Sequence, residues 1–238
     1  MEKYINAGYF LIKSKLLRFG TLEGTVVKTC SGCINTSAFD IWCLSWVKDA
    51  LNEESKLELG LSDSQINDIH KWTDIRFDRG ELGFGNVFPD LETARTFKEL
   101  FFAGRNDIEM LGLYLPQTDA DRLTEDFKEG NNSLPFNQNN GKFGLRLNLL
   151  KQIEEKETED AAFLGYDFIG VEGDGSFHSF YCHNITEILI DMFALTLNEN
   201  GLFEEITQPD QIREYLNSPN AGVEPVPWYI AKVKRITT

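Results

Sequence analysis

No apolar run in the chain approaches the roughly eighteen residues that a membrane-crossing helix needs. The opening, MEKYINAGYFLIKSKLLRFG, scatters charge among its apolar residues and lacks the uninterrupted core and small-residue cleavage site of a secretory signal. Cysteine is scarce too: four in 238 residues make no disulfide framework, so the expected setting is a reducing cytoplasm. Basic residues are outnumbered, with 23 Lys and Arg against 38 Asp and Glu and a formal charge of −15. Such a surface repels phosphate backbones and anionic lipid, which disfavours nucleic acid and membranes as partners. A basic protein is instead steered toward it, although acidity for solubility alone has the same appearance.

Signatures of known chemistry are also missing. The chain has no G-x-S-x-G elbow, no H-E-x-x-H, no kinase set and no internal repeat. Glycines 80, 83 and 85 in RGELGFGN (79–86) match neither a Walker loop nor a dinucleotide fingerprint and read as turn geometry. Cys30 and Cys33 in TCSGC form a C-x-x-C, the spacing of a zinc half-site or a redox pair. Zinc needs two further ligands, and none follows at the usual spacing; Cys182 and His183 are the distant candidates, while Cys43 falls on the apolar face of a predicted helix. A redox cysteine normally sits at a helix N-terminus, and here the helix is predicted to begin later, near Ser37. Small residues in a strand-to-helix loop are the plainer account of CSGC. His70, in INDIHKW, reads as a lone histidine near a helix C-terminus.

What the chain does contain is clear periodicity. Phe39, Trp42, Cys43, Trp46, Val47, Ala50 and Leu51 mark one face of a helix, with Ser37 as its cap. A second helix is predicted from about Leu91 to Ala103, capped by Asp90, with Ala94, Phe97, Leu100 and Phe101 as its apolar stripe. A third follows Asn184, whose spacing to Glu187 suggests a capping box, with Ile185, Ile188, Leu189, Met192 and Phe193 on the helical period. A short fourth begins after Pro209. Strands are predicted at YFLIKSKL, GTVVKT, IEMLGLYL, YDFIGVE, SFHSFYC and WYIAKVKRI, while FGLRLNLL (143–150) reads as strand or helix start. The Asn-rich EGNNSLPFNQNNGK (129–142) is the best loop and EEKETED (154–160) the densest acidic run. Without a steady βαβ rhythm, the fold class is α+β: a mostly antiparallel or mixed sheet of at least five strands packed with helices. One domain over residues 1–238 is expected, with a soft boundary near 80–86.

The stretch GDGSFHSFYCHN (173–184) gathers two of the three histidines with Cys182, Asp174 and two serines. As a strand paired to YDFIGVE through a Gly173-Asp174-Gly175 turn, it places His178 and His183 on opposite faces. His178 and Cys182 share a face about 13 Å apart at ~3.3 Å per residue, too far for one ion unless the strand bends. A Ser176–His178 couple is conceivable but lacks the strained turn and oxyanion donors of a hydrolase. The expectation is a hydrogen-bonded, partly buried His178, with no catalytic, cofactor or metal site assigned.

Over residues 86–203 the succession VFPDLETARTFKELF, LGLYLP, LGYDFIGVEGDGSFHSFYCHNI and LNENGLF resembles bacterial proteins found beside polymorphic toxins, which look like immunity proteins. The resemblance implies a non-catalytic binder that masks a cognate toxin and makes SFHSFYCHN part of the scaffold. Against a nuclease toxin, whose substrate groove is basic, an acidic surface would speed association. The alternative is an enzyme of unrecognised type, with a hydrolase-like site at Ser176/His178 or a zinc or redox site at Cys30/Cys33. Partner identity and oligomeric state are left open.

Overall fold

Tyr4–Lys13 (β1), Thr36–Ser37 (β2), Glu109–Pro116 (β3), Ala161–Val171 (β4), Phe177–Ser179 (β5) and Trp228–Ile236 (β6) form one sheet in the order β2-β1-β3-β6-β4-β5, every pairing antiparallel. The helices are Glu53–Leu59 (α1), Asp63–Asp78 (α2), Leu91–Phe101 (α3), Gln117–Glu129 (α4), Arg146–Leu149 (α5), Thr186–Phe193 (α6) and Pro209–Leu216 (α7). This computed structural model describes residues 2–237 except 19, 21, 39–52, 80, 83–86, 130–144, 156–160 and 174. The predicted 39–51 helix with Trp42, Cys43 and Trp46, nearly all of the 129–142 loop and most of the 154–160 run lie outside the described residues.

The long strands are buried on both faces because helices cover both. On one face Ile5, Ala7, Phe10, Ile12, Leu113, Ile169, Val171, Ala231 and Val233 pack with Ala120, Leu123 and Phe127 of α4 and Leu149 of α5. The opposite face is covered at one end by α2 and α3, through Ile69, Ala94 and Phe97 against Leu11, Met110 and Ile236. At the other end α6 and α7 bring Leu189, Phe193, Ile212 and Leu216 against Phe168, Trp228 and Ile230.

Two bulges make this layering possible. The register shifts between Asn6 and Gly8, so odd-numbered Ile5 and Ala7 join even-numbered Phe10 and Ile12 in one layer. A second shift between Phe163 and Gly165 does the same for Leu164 and Ile169. Both glycines sit at positive φ, and a Cβ on Gly8 would lie 2.3 Å from Val87 Cγ1. The sheet curls: the Phe10 ring of β1 meets the Phe177 ring of β5 at 5.5 Å, although three strands separate β1 from β5. This curl carries the segment after β1 across to the β4–β5 hairpin.

The α+β class, the helix starting after Asp90, the helix on Pro209 and the 228–236 strand match expectation. Other elements differ. Residues 24–29 make only an isolated bridge, Leu16 to Val26, not a strand. FGLRLNLL, open in the sequence between strand and helix start, takes the helical alternative in part as the short α5, with the buried Arg146 guanidinium over the Phe127 ring and donating to the Gly173 carbonyl. His70 lies inside α2, which continues to Asp78, and is buried. The apolar stripes are narrower than their periodicity suggests: Leu100, Ile188 and Met192 are exposed.

Candidate functional site: a thiol–imidazole cluster and an acidic helical region

The β4–β5 hairpin forms as its sequence predicts, pairing Ile169 with Ser179, Gly170 with His178 and Val171 with Phe177. Its turn closes through Glu172 N–H to the Ser176 carbonyl at 2.8 Å and Gly175 N–H to the Glu172 carbonyl at 2.9 Å. Extended structure then stops at Ser179. Phe180–His183 is a 3-10 turn rather than the rest of a strand to Cys182, with Ser179 Oγ accepting from Tyr181 N–H. The cause is packing. Phe180 is fully buried between the rings of Phe168 and Phe203, at 5.6 and 5.0 Å, and the Tyr181 hydroxyl donates to the Gly201 carbonyl. The turn folds Cys182 back toward His178, so the separation expected for a strand does not apply.

A second segment supplies the partner. Cys30 is buried in the core, while Cys33 is exposed, so the two cysteines of CSGC are separated rather than paired at one site. The turn between them is held by Ser31 N–H to Thr29 Oγ1 at 3.1 Å, Cys33 N–H to Ser31 Oγ at 3.3 Å, and Asn35 Nδ2 to the Val27 and Thr29 carbonyls. Thr29 Oγ1 donates to Asp167 Oδ2, and Ser179 Oγ donates to Asp167 Oδ1 at 2.8 Å. One buried carboxylate on β4 thus clamps both chain segments that carry the thiols.

The result is that Cys33 Sγ, Cys182 Sγ and a His178 nitrogen lie within 4.8 Å of one another. Cys33 Sγ is 3.3 Å from His178 Nδ1. On the far side of the ring, His178 Nε2 is 3.2 Å from Glu172 Oε1 and 3.4 Å from Glu224 Oε2. His183 Nε2 lies 3.8 Å from the same Glu224 oxygen. Both His178 nitrogens are therefore taken up by Cys33 and the carboxylates, and a Ser176–His178 couple has no nitrogen to work through. The expectation of a hydrogen-bonded, partly buried His178 holds.

Electrostatics follow from these contacts. The Cys182 thiol and then His178 hydrogen-bond Cys33 and hold its thiol down to about 4. The bond to Cys33 pushes His178 up to about 9, with Glu224 and Glu172 adding to it. Cys182, donating to Cys33 and partly buried, is raised. Burial lowers His183. Both shifts favour the charged forms, a thiolate on Cys33 facing an imidazolium on His178.

A different surface lies immediately downstream. Residues 184–217 contain seven carboxylates, Glu187, Asp191, Glu199, Glu204, Glu205, Asp210 and Glu214, and one basic residue, Arg213. All seven are exposed. Arg213 is committed to Asp119 at 2.9 Å and Asp210 at 3.0 Å, and the other six have no ion-pair partner among the described residues. The helices α6 and α7 lean together through the Phe193 and Tyr215 rings at 5.8 Å. Ile188 and Met192, one turn apart on α6, are 45% and 54% exposed beside Glu187 and Asp191.

The cluster was missed from sequence because it depends on two things that spacing does not encode, the curl of the sheet and the 3-10 turn at Phe180. The available signal was weak: two cysteines near two histidines, 145 residues apart between Cys33 and His178. Comparison with known proteins returns no match to any family model, curated protein or solved structure.

Proposed function

We propose that the protein is a non-catalytic binder of a basic protein, acting as an immunity protein that masks a cognate bacterial toxin domain. The observation that carries this reading is the segment 184–217, which holds seven exposed carboxylates and one basic residue, itself already paired, and in which exposed Ile188 and Met192 stand beside Glu187 and Asp191 on α6. Uncompensated carboxylates draw in a basic partner, and an apolar centre among them supplies the contact that retains it. Such a surface suits a nuclease-type toxin, whose substrate groove must carry positive charge. The resemblance over residues 86–203 supports the same reading.

The reading predicts a toxin-like C-terminal domain encoded beside this gene, and the test uses that domain. The expected result is that co-expression protects bacteria from that domain and that the two purified proteins bind. Ile188→Asp with Met192→Asp should weaken binding at least tenfold, since a charge then occupies the contact centre. Cys33→Ala and His178→Ala should leave protection intact. Absence of binding and protection overturns the proposal, and loss of protection in the Cys33 and His178 variants alone points to thiol chemistry instead.

A further inference from the structure

We propose that Cys33, His178 and Cys182 form a binding site for one zinc ion, with Glu172 and Glu224 as the outer carboxylates that orient His178. The three ligand atoms converge from separate parts of the fold, the turn after Cys30, strand β5 and the 3-10 turn, and lie within 4.8 Å of one another. Tetrahedral zinc, with bonds of about 2.3 Å to sulfur and about 2.0–2.1 Å to nitrogen, sets its ligand atoms about 3.5–3.8 Å apart. The Cys33–His178 separation of 3.3 Å needs only a few tenths of an ångström of adjustment. Thiolate and imidazole donors suit zinc and exclude magnesium and calcium, which take oxygen.

The second layer is the stronger argument. A metal-bound histidine characteristically coordinates through one nitrogen and donates the other N–H to a carboxylate, which fixes ring and tautomer. His178 presents Nδ1 to the Cys33 sulfur at 3.3 Å and Nε2 to Glu172 at 3.2 Å and Glu224 at 3.4 Å. The site is also pre-formed, because Asp167 binds Thr29 and Ser179 and so ties together the chain on either side of it. Cys33 is exposed, which leaves a route for the ion and a fourth position for water. This set differs from the Cys30/Cys33 half-site that the C-x-x-C spacing suggests, since Cys30 is sealed in the core.

The experiment uses the full chain, reduced and stripped with a chelator, titrated with Co²⁺ and then Zn²⁺. Co²⁺ should give the thiolate charge-transfer absorption and tetrahedral ligand-field bands, saturating at one equivalent, and Zn²⁺ should bleach them. Cys33→Ser, Cys182→Ser and His178→Ala should each abolish that spectrum, whereas Cys30→Ser should retain it. Glu172→Gln should weaken zinc by about 10–100-fold, the usual cost of losing an outer carboxylate. Alkylation mapped by mass spectrometry on the unmutated protein avoids dependence on how variants fold: bound zinc should shield Cys33 and Cys182 from iodoacetamide. No cobalt–thiolate band, a band that survives both Cys33→Ser and Cys182→Ser, or no shielding overturns the site. Because binding is read spectroscopically, failure here leaves the toxin-binding proposal untouched.

Discussion

Asp167 is a carboxylate held without a cation. It is fully buried, and its two oxygens accept from the hydroxyls of Thr29 and Ser179, with no basic side chain paired to it among the described residues. Burial pushes its carboxyl up to about 6, against an ordinary value near 3.9, with the two hydroxyl bonds opposing the rise. The folded chain therefore binds this proton more tightly than the unfolded chain does. Its contribution to stability is fully present below about pH 4 and is lost as pH rises through about 6, a change on the order of 3 kcal/mol. Asp167→Asn removes the ionisation while keeping an acceptor for one hydroxyl and a donor for the other. Urea unfolding of both proteins should show wild type losing stability relative to Asp167→Asn between pH 4 and 6. A relative gain over that window would mean that the clamp works as a stabilised anion. In the sequence Asp167 stands between Tyr166 and Phe168 in a β-rich run, and nothing there marks it as the tie between two distant thiols.

At the scale of elements, legibility tracked how local the cause was. The α3 cap is local: Asp90 Oδ1 accepts from Thr93 N–H at 2.7 Å, as its position before an apolar periodic run predicts. The Gly173–Gly175 hairpin is local as well. The box predicted at Asn184 and Glu187 failed because Asn184 closes the preceding 3-10 turn at φ 54, leaving Ile185 at the N-cap of α6 with no side-chain cap. Asparagine tolerates that left-handed conformation, so its role is backbone geometry rather than capping. The far end of α6 has the same geometry on a less suitable residue: Ala194 sits at φ 51. Left-handed alanine costs about 1–2 kcal/mol, and glycine there gives back about 0.5–1 kcal/mol through the looser unfolded chain. Ala194→Gly should therefore stabilise by about 0.5 kcal/mol and raise Tm by about 1–2 °C. Asn184→Ser, a good cap but a poor left-handed residue, should instead lose about 1 kcal/mol. Calorimetry on both variants decides the matter, and an unchanged Asn184→Ser would restore the capping role.

At the scale of the whole molecule, the charge of −15 matters less than where it goes uncompensated. Near the sheet many carboxylates are already engaged: Glu155 holds Lys232 and Lys234, Glu109 holds Lys28 and Arg235, and Asp107 is held by Arg105 and Lys13. The α6–α7 region keeps six carboxylates without an ion-pair partner among the described residues, so the field a diffusing partner meets there is negative. If a basic toxin docks on this region, association should be fast in about 0.01 M salt, where charge is felt over ~30 Å, and about tenfold slower or more at 0.15 M, where it is felt over ~8 Å. Dissociation should change little with salt, because the retained contact is apolar and centred on Ile188 and Met192. Neutralising the region with Glu187→Gln, Asp191→Asn, Asp210→Asn and Glu214→Gln should flatten the salt dependence of association. The same substitutions should leave the dissociation rate near its original value. Rates measured across a salt series on both proteins test this directly. An association rate indifferent to salt in the unmutated protein would make the acidity a matter of solubility and move the binding surface elsewhere.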